Sequence, residues 1–193
     1  MQFLLSNKAF LAFNRGEYAA MQEFALEGIK ITLPDFDEDE IDTYVLTFDE
    51  ICLINQYALS FLYQNELENS LKLYLKLKVS MDNSYVCVSE KIKTYIIVLY
   101  NLSKSLGLSE KYEESLEIED EAIKLCKQYH EFYFLPQLLY NKACSLYYLG
   151  RKKEAKTYLE RAYYLSFALG NDTSYEEDLA KEFGVELISP STK

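Results

Sequence analysis

Apolar positions recur three and four residues apart along most of this chain, as in Leu67, Leu71, Tyr74 and Leu75 or Tyr112, Leu116, Ala122 and Ile123, with charged and amide residues between them. That period gathers the apolar side chains into one stripe of a helix. The pattern predicts a short helix over 2–14 carrying Phe3, Leu4, Phe10, Leu11 and Phe13, a turn at Arg15-Gly16, and a second helix from Glu17 to about Lys30. Pro34 stops that helix, and Asp35 to Glu40 reads as a solvated linker whose carboxylates favour the N-terminus of a third helix, from about Ile41 to Tyr63. Asn65 closes it, the return helix ends near Met81, and Asp82-Asn83-Ser84 supplies the next break. A helix from about Tyr85 to Leu106 then meets a partner over 110–129. Pro136 opens the next helix, Gly150 caps it, and Lys152 to Leu169 returns. Four hairpins follow, roughly 2–30, 41–81, 85–129 and 133–169, with a terminal helix over 173–183 that covers the open end.

The hairpins echo one another. Asn141, Ala143, Gly150, Ala155 and Ala162 share a frame with Asn101, Ser103, Glu110, Ser115 and Ala122, then with Gln56, Ala58, Asn65, Ser70 and Leu77, then with Asn7, Ala9, Gly16, Met21 and Gly28. Most slots are small, turn-forming or amide-bearing. Hairpins of this length cannot bury their apolar faces alone and must stack, so the expected fold is an all-α solenoid in one domain over 1–193; the alternative is an ordinary helical bundle.

Composition narrows the picture. With 49% hydrophobic residues in 193, the chain can bury a core, and six Gly and three Pro leave little material for the turns of a β-sandwich. A net charge of −11 disfavours phosphate backbones and anionic lipid, so neither nucleic acid nor membrane is an expected partner. Cys52, Cys87, Cys126 and Cys144 form no Cys-x-x-Cys spacing and read as reduced core residues of a cytoplasmic protein. The start of the chain lacks the pattern of a signal peptide.

Asn141-Lys142-Ala143, Leu146, Tyr148-Leu149-Gly150, Glu154-Ala155, Leu159 and Ala162 together resemble a tetratricopeptide repeat. The resemblance implies an α-α superhelix in which Ala143, Ala155 and Ala162 permit close helix approach; Met21 and Leu77 depart from it in the first two hairpins. The acidic linker, the abundant Tyr and Phe, and Leu169-Gly170-Asn171 before a terminal helix look like the C-terminal peptide-sensing regions of bacterial Rgg/PlcR-type transcription regulators. That resemblance implies a domain that binds short peptides on its concave face and forms a homodimer. No helix-turn-helix segment occurs here, so the expectation is a regulatory region without its DNA-binding domain; the alternative is a constitutive adaptor that recruits a protein partner.

Within this frame the amides Asn7, Gln56, Asn101 and Asn141 occupy one slot of each first helix. A primary amide donates and accepts, so it can pair with a peptide backbone whatever the side chains. Tyr100 and Lys104, with Gln137, Tyr140 and Tyr147, occupy neighbouring slots, Lys104 as a partner for a carboxylate. The competing assignment is that the amides satisfy neighbouring hairpins and the tyrosines pack between them. Dimerisation is expected through Tyr163, Tyr164, Phe167 and Phe183.

No catalytic or cofactor site is expected. Asp35, Asp37 and Asp39 imitate the start of a calcium loop, but Glu40 stands where its glycine belongs and Leu46 where its final glutamate belongs. His130 is the only histidine, and Cys126 one turn before it lacks a third member.

Overall fold

The computed structural model describes residues 1–83 and 89–188. Its helices are α1 (Gln2–Asn14), α2 (Tyr18–Lys30), a short 3-10 helix (Glu38–Thr43), α3 (Phe48–Tyr63), α4 (Leu67–Asn83), α5 (Ser89–Leu108), α6 (Tyr112–Tyr129), α7 (Leu135–Tyr148), α8 (Lys152–Ala168) and α9 (Ser174–Phe183). No strand occurs among the described residues, and no helix there is long and apolar enough to cross a membrane. The chain divides into two compact units, Met1–Ser105 and Leu106–Lys193, the division falling inside α5. In the first unit α2 packs on α1 and α3, and α3 on α4; in the second, α7 packs on α6 and α8, and α8 on α9.

The hairpin turns share one geometry. Gly16, Asn65, Glu110 and Gly150, the four turn slots of the repeat, all adopt left-handed backbone, with φ of 72°, 63°, 59° and 78°. The next amide in each case reaches back five residues: Glu17 to Ala12 O at 2.9 Å, Glu66 to Phe61 O at 2.9 Å, Lys111 to Leu106 O at 3.0 Å and Arg151 to Leu146 O at 2.8 Å. This is the Schellman closure, which satisfies carbonyls that a helix end leaves open. A side chain with a Cβ is strained there unless it is Asn or Asp. Glu110→Gly is therefore expected to stabilise the protein by about 0.5–1 kcal/mol, read by denaturant titration. A loss of stability would mean that the Glu110 side chain, and not the turn, sets the cost.

The packing slots are all buried. Ala9, Ala58, Ala122, Ala143, Ala155 and Ala162 are inaccessible, as are Ser70 and Ser115, and the larger Met21 and Leu77 fit the same role. At Gly28 a Cβ would lie 2.8 Å from a methyl of Leu53, so α2 and α3 approach as closely as a glycine permits.

Several expectations are corrected. The third helix begins at Phe48, not near Ile41, because Thr47 caps it: Thr47 Oγ1 accepts from the Glu50 amide while the Glu50 carboxylate accepts from the Thr47 amide at 2.7 Å. The acidic stretch before it is folded and not merely a solvated linker. Asp37 caps the 3-10 helix, Ile41 is fully buried, and Asp39 and Asp42 pair with Lys72 and Lys76 of α4 at 2.6 and 2.9 Å. The break expected at Asp82-Asn83 is still helical, Lys78 bridging Asp82 one turn on; Ser84 and Tyr85, with Cys87, lie outside the described residues. In α1 the inward face is small, Leu5, Ala9 and Ala12, whereas Phe3, Leu4, Phe10 and Leu11 are more than half exposed. Leu75 likewise faces solvent, and Leu73 and Leu77 take its place in the core.

Candidate functional site

In the first unit the amide slots diverge in environment. Asn7 is exposed on α1. Gln56, half-buried on α3, spends its amide on α1: Nε2 donates to Ser6 O at 3.1 Å and Oε1 accepts from the Ser6 hydroxyl at 3.3 Å. Asn101 on α5 is only 5% exposed, and its Nδ2 donates to Asn55 Oδ1 at 2.9 Å. The buried Tyr74 hydroxyl of α4 donates to Asn55 O at 3.2 Å, and burial pushes that phenol well above its ordinary value. Asn55, Tyr74 and Asn101 thus clasp α3, α4 and α5 together, and the competing assignment describes Gln56 and Asn101 in this conformation.

Beside Asn101, Tyr100 is half-buried and Lys104 lies over the Tyr63 ring, 4.8 Å from its centroid, donating to the Tyr63 hydroxyl at 3.1 Å. Tyr63 in turn stacks on Tyr18 at 5.0 Å and meets Phe13 edge-on at 5.1 Å. Sequence reasoning named Lys104 but missed Phe13 and Tyr18, which flank the turn between α1 and α2. A cation resting on an accessible aromatic cluster can bind a carboxylate while the rings take an apolar group.

In the second unit α7 repeats the register of α5: Gln137, Tyr140, Asn141 and Cys144 stand where Ile97, Tyr100, Asn101 and Lys104 stand. All four are half-buried, as is Tyr147 one turn further. Gln137 Oε1 is buried and accepts no hydrogen bond among the described residues. Such an acceptor costs free energy until something donates to it. Burial first, and then the Cys144 thiol, pushes the Tyr140 phenol above its ordinary value; burial and the Glu119 charge push Cys144 up to about 12. Tyr147 is covered by α9, its ring stacked on Phe183 at 3.7 Å and 5°. The terminal helix therefore packs onto the expected binding face of this unit, with Leu179 and Ala180 against Ala143 and Leu159, and with Tyr140 and Cys144 at the edge of that cluster. Of the residues expected for dimerisation, Phe183 is half-buried against Tyr147 and Tyr163 is buried.

The remaining candidates resolve simply. Cys126 is buried, which pushes its thiol up to about 11, and His130 is an exposed left-handed cap against Phe132; a thiol held protonated makes a poor nucleophile. Cys52, Cys126 and Cys144 are free thiols, only Cys126 of the three fully buried. Among the described residues no His, Cys, Asp and Glu group could hold a metal ion.

Hairpins closed by left-handed turns, with small residues at fixed packing slots, define a tetratricopeptide-like helical-repeat protein. Residues 29–182 match the RNPP family C-terminal domain, and the chain belongs to that family. Among solved structures it is similar to Bacillus thuringiensis PlcR in complex with the peptide PapR7 and DNA, at 16% identity and a TM-score of 0.60, over 94% of this chain and 68% of that one. It is also 31% identical over 140 residues to a clustered mitochondria protein homolog of Candida albicans, covering 69% of this chain and 10% of that protein. The chain thus spans about a tenth of the length of that relative.

Proposed function

We propose that this chain is the peptide-sensing regulatory domain of a cytoplasmic bacterial transcription regulator, working as one repeat domain and without catalysis. The observation that carries the reading is the α7 face of a chain in the RNPP family: Gln137, Tyr140 and Asn141 follow one another along the helix, and Gln137 Oε1 has no donor among the described residues. A peptide backbone supplies the N–H that Gln137 Oε1 lacks, the Asn141 amide lies one turn further along the same face, and Tyr140, at the edge of the α9 contact, takes an apolar side chain. On α5, Lys104 over Tyr63 receives a carboxylate. Asn101 contributes mainly by holding α5 to α3, whereas Asn7 and Gln56 lie outside the contact. Peptide docking shifts the domain toward a conformation that re-aims a dimer. For pairing we place the contact on α8 at Phe167, which is 44% exposed.

The test selects short linear peptides on the immobilised wild-type chain and titrates the best binder against variants. Gln137→Ala and Asn141→Ala should each weaken it roughly tenfold or more, equivalent to about 1.4 kcal/mol, with helicity unchanged. Small-angle scattering should report a change in compactness on binding, which a constitutive adaptor does not make. A selected peptide whose affinity ignores both substitutions would remove the α7 face from the proposal.

A further inference from the structure

A second surface of the Leu106–Lys193 unit combines apolar and cationic side chains. A trough of about 950 Å³ runs between α6 and α8 over α7. From α6 it takes Asp120, Ile123, Lys124 and Lys127, positions one helical face apart; from α8 it takes Tyr158, Arg161, Tyr164, Leu165 and Ala168. At 1.5 Å per residue the α8 side extends for about 15 Å, so the feature is elongated along two helices and not a round cavity. Leu135 and Leu139 of α7 form the floor, and they stand on a different face of that helix from Gln137, Tyr140 and Asn141. The trough is therefore separate from the proposed peptide face.

Its lips are cationic in a chain of net charge −11. Lys124, Lys127 and Arg161 are exposed, and none forms an ion pair among the described residues; Arg161 stacks over the Tyr158 ring at 5.3 Å. The one acid of the trough, Asp120, is already engaged by Lys142, whose ammonium also lies 4.6 Å from the centre of the Tyr158 ring. Tyr164, 42% exposed, adds an accessible aromatic edge. An apolar trough whose α8 wall runs two to three turns, bordered by three cations, is complementary to a helix with one apolar stripe flanked by Asp and Glu. Such a helix lays its apolar side chains on Leu135, Leu139 and Leu165 while its carboxylates meet the lips, an arrangement that confers selectivity by charge.

We propose that this trough docks an acidic amphipathic helix of a partner protein. The probe is a fluorescein-labelled helical peptide of about 14 residues, with Leu at every third and fourth position and Glu elsewhere, beside a counterpart with Lys for Glu. Fluorescence anisotropy on the full chain should give micromolar affinity for the acidic probe, falling with added salt, and binding of the Lys counterpart weaker by roughly tenfold or more. The combined Lys124→Glu, Lys127→Glu and Arg161→Glu variant should lose roughly thirtyfold in affinity for the acidic probe, and the milder Lys124→Gln with Lys127→Gln about threefold to tenfold, both with unchanged circular dichroism. Tyr164→Asp should weaken it too. Equal binding of the two probes, or undiminished binding by the charge-reversed and neutralised variants, overturns the proposal. So does sedimentation showing that the wild type self-associates and that charge reversal dissociates it, because the occupant is then a second copy.

Discussion

Glu119→Gln should stabilise the protein at pH 8 by roughly 2–3 kcal/mol and leave it almost unchanged at pH 4.5. Glu119 lies on α6 with no exposure, and both of its donors, the hydroxyls of Ser115 at 2.8 Å and Ser145 at 3.0 Å, bind the same oxygen, Oε1. Oε2 is buried without a hydrogen bond among the described residues. Burial dominates and pushes this carboxyl up to about 7 from an ordinary 4.5, against the two hydroxyls and the Lys142 charge, which favour the ionised form, and with Asp120 opposing them. Below about 4.5 the group is protonated in both states, and its folded environment costs nothing. Between 4.5 and 7 the unfolded chain releases the proton while the native chain keeps it, so stability falls as pH rises, levelling above 7. Gln keeps the acceptor for both serines and cannot ionise. Thermal and denaturant unfolding of both proteins at pH 4.5 and 8 decides the matter: a wild type equally stable at both pH values, or a Gln variant shifted equally at both, sinks the assignment. Glu50 provides the contrast. Its residue is buried too, though its carboxyl less deeply, and burial is again the largest single influence, but hydrogen bonds from Thr32 and from the Thr47 amide and hydroxyl jointly outweigh it, and its carboxyl sits below the ordinary value.

Leu179→Ala should cost about 2–4 kcal/mol, far more than expected for a dispensable terminal helix. Leu179 is 6% exposed and packs with Ala180 against Ala143 and Leu159, both fully buried, so truncation leaves a cavity that small neighbours cannot refill. Phe183→Ala should cost about 1–2 kcal/mol and uncover Tyr147 by removing the stacked ring. Denaturant titration of the two single variants and the double variant measures this. A loss below about 0.5 kcal/mol for Leu179→Ala would mean that α9 merely lies on the second unit and is not part of its core.

The turns were legible in the sequence because a helix end has few chemical solutions. Gly16, Asn65 and Gly150 carry the residue types that tolerate left-handed backbone, and Glu110 was found only because the repeat frame pointed to it. The small slots were legible for a similar reason, since Ala143, Ala155 and Ala162 are short in a stretch otherwise rich in large side chains. The start of α3 was not: the carboxylates before Ile41 read as a helix N-terminus, whereas the Thr47–Glu50 pair three residues apart in the written chain is the actual capping box. The candidate site was legible in register but not in environment. Nothing local marks Asn101 as locked, because the lock comes from Asn55 and Tyr74, tens of residues away. Glu119 escaped notice altogether among the carboxylates of its helix; its signal lies in Ser115 one turn earlier and in Ser145, which matches Ser105 of the preceding hairpin.

What the sequence determined by itself is the helical period, the four left-handed turns and the small slots, each fixed by contacts within one turn or one hairpin. The tertiary structure alone decided which amides are spent on neighbouring helices, that α9 covers Tyr147, that Glu119 is buried, and that Lys124, Lys127 and Arg161 border one trough. Those outcomes depend on desolvation and on partners distant in the chain, and side-chain type at a position carries neither.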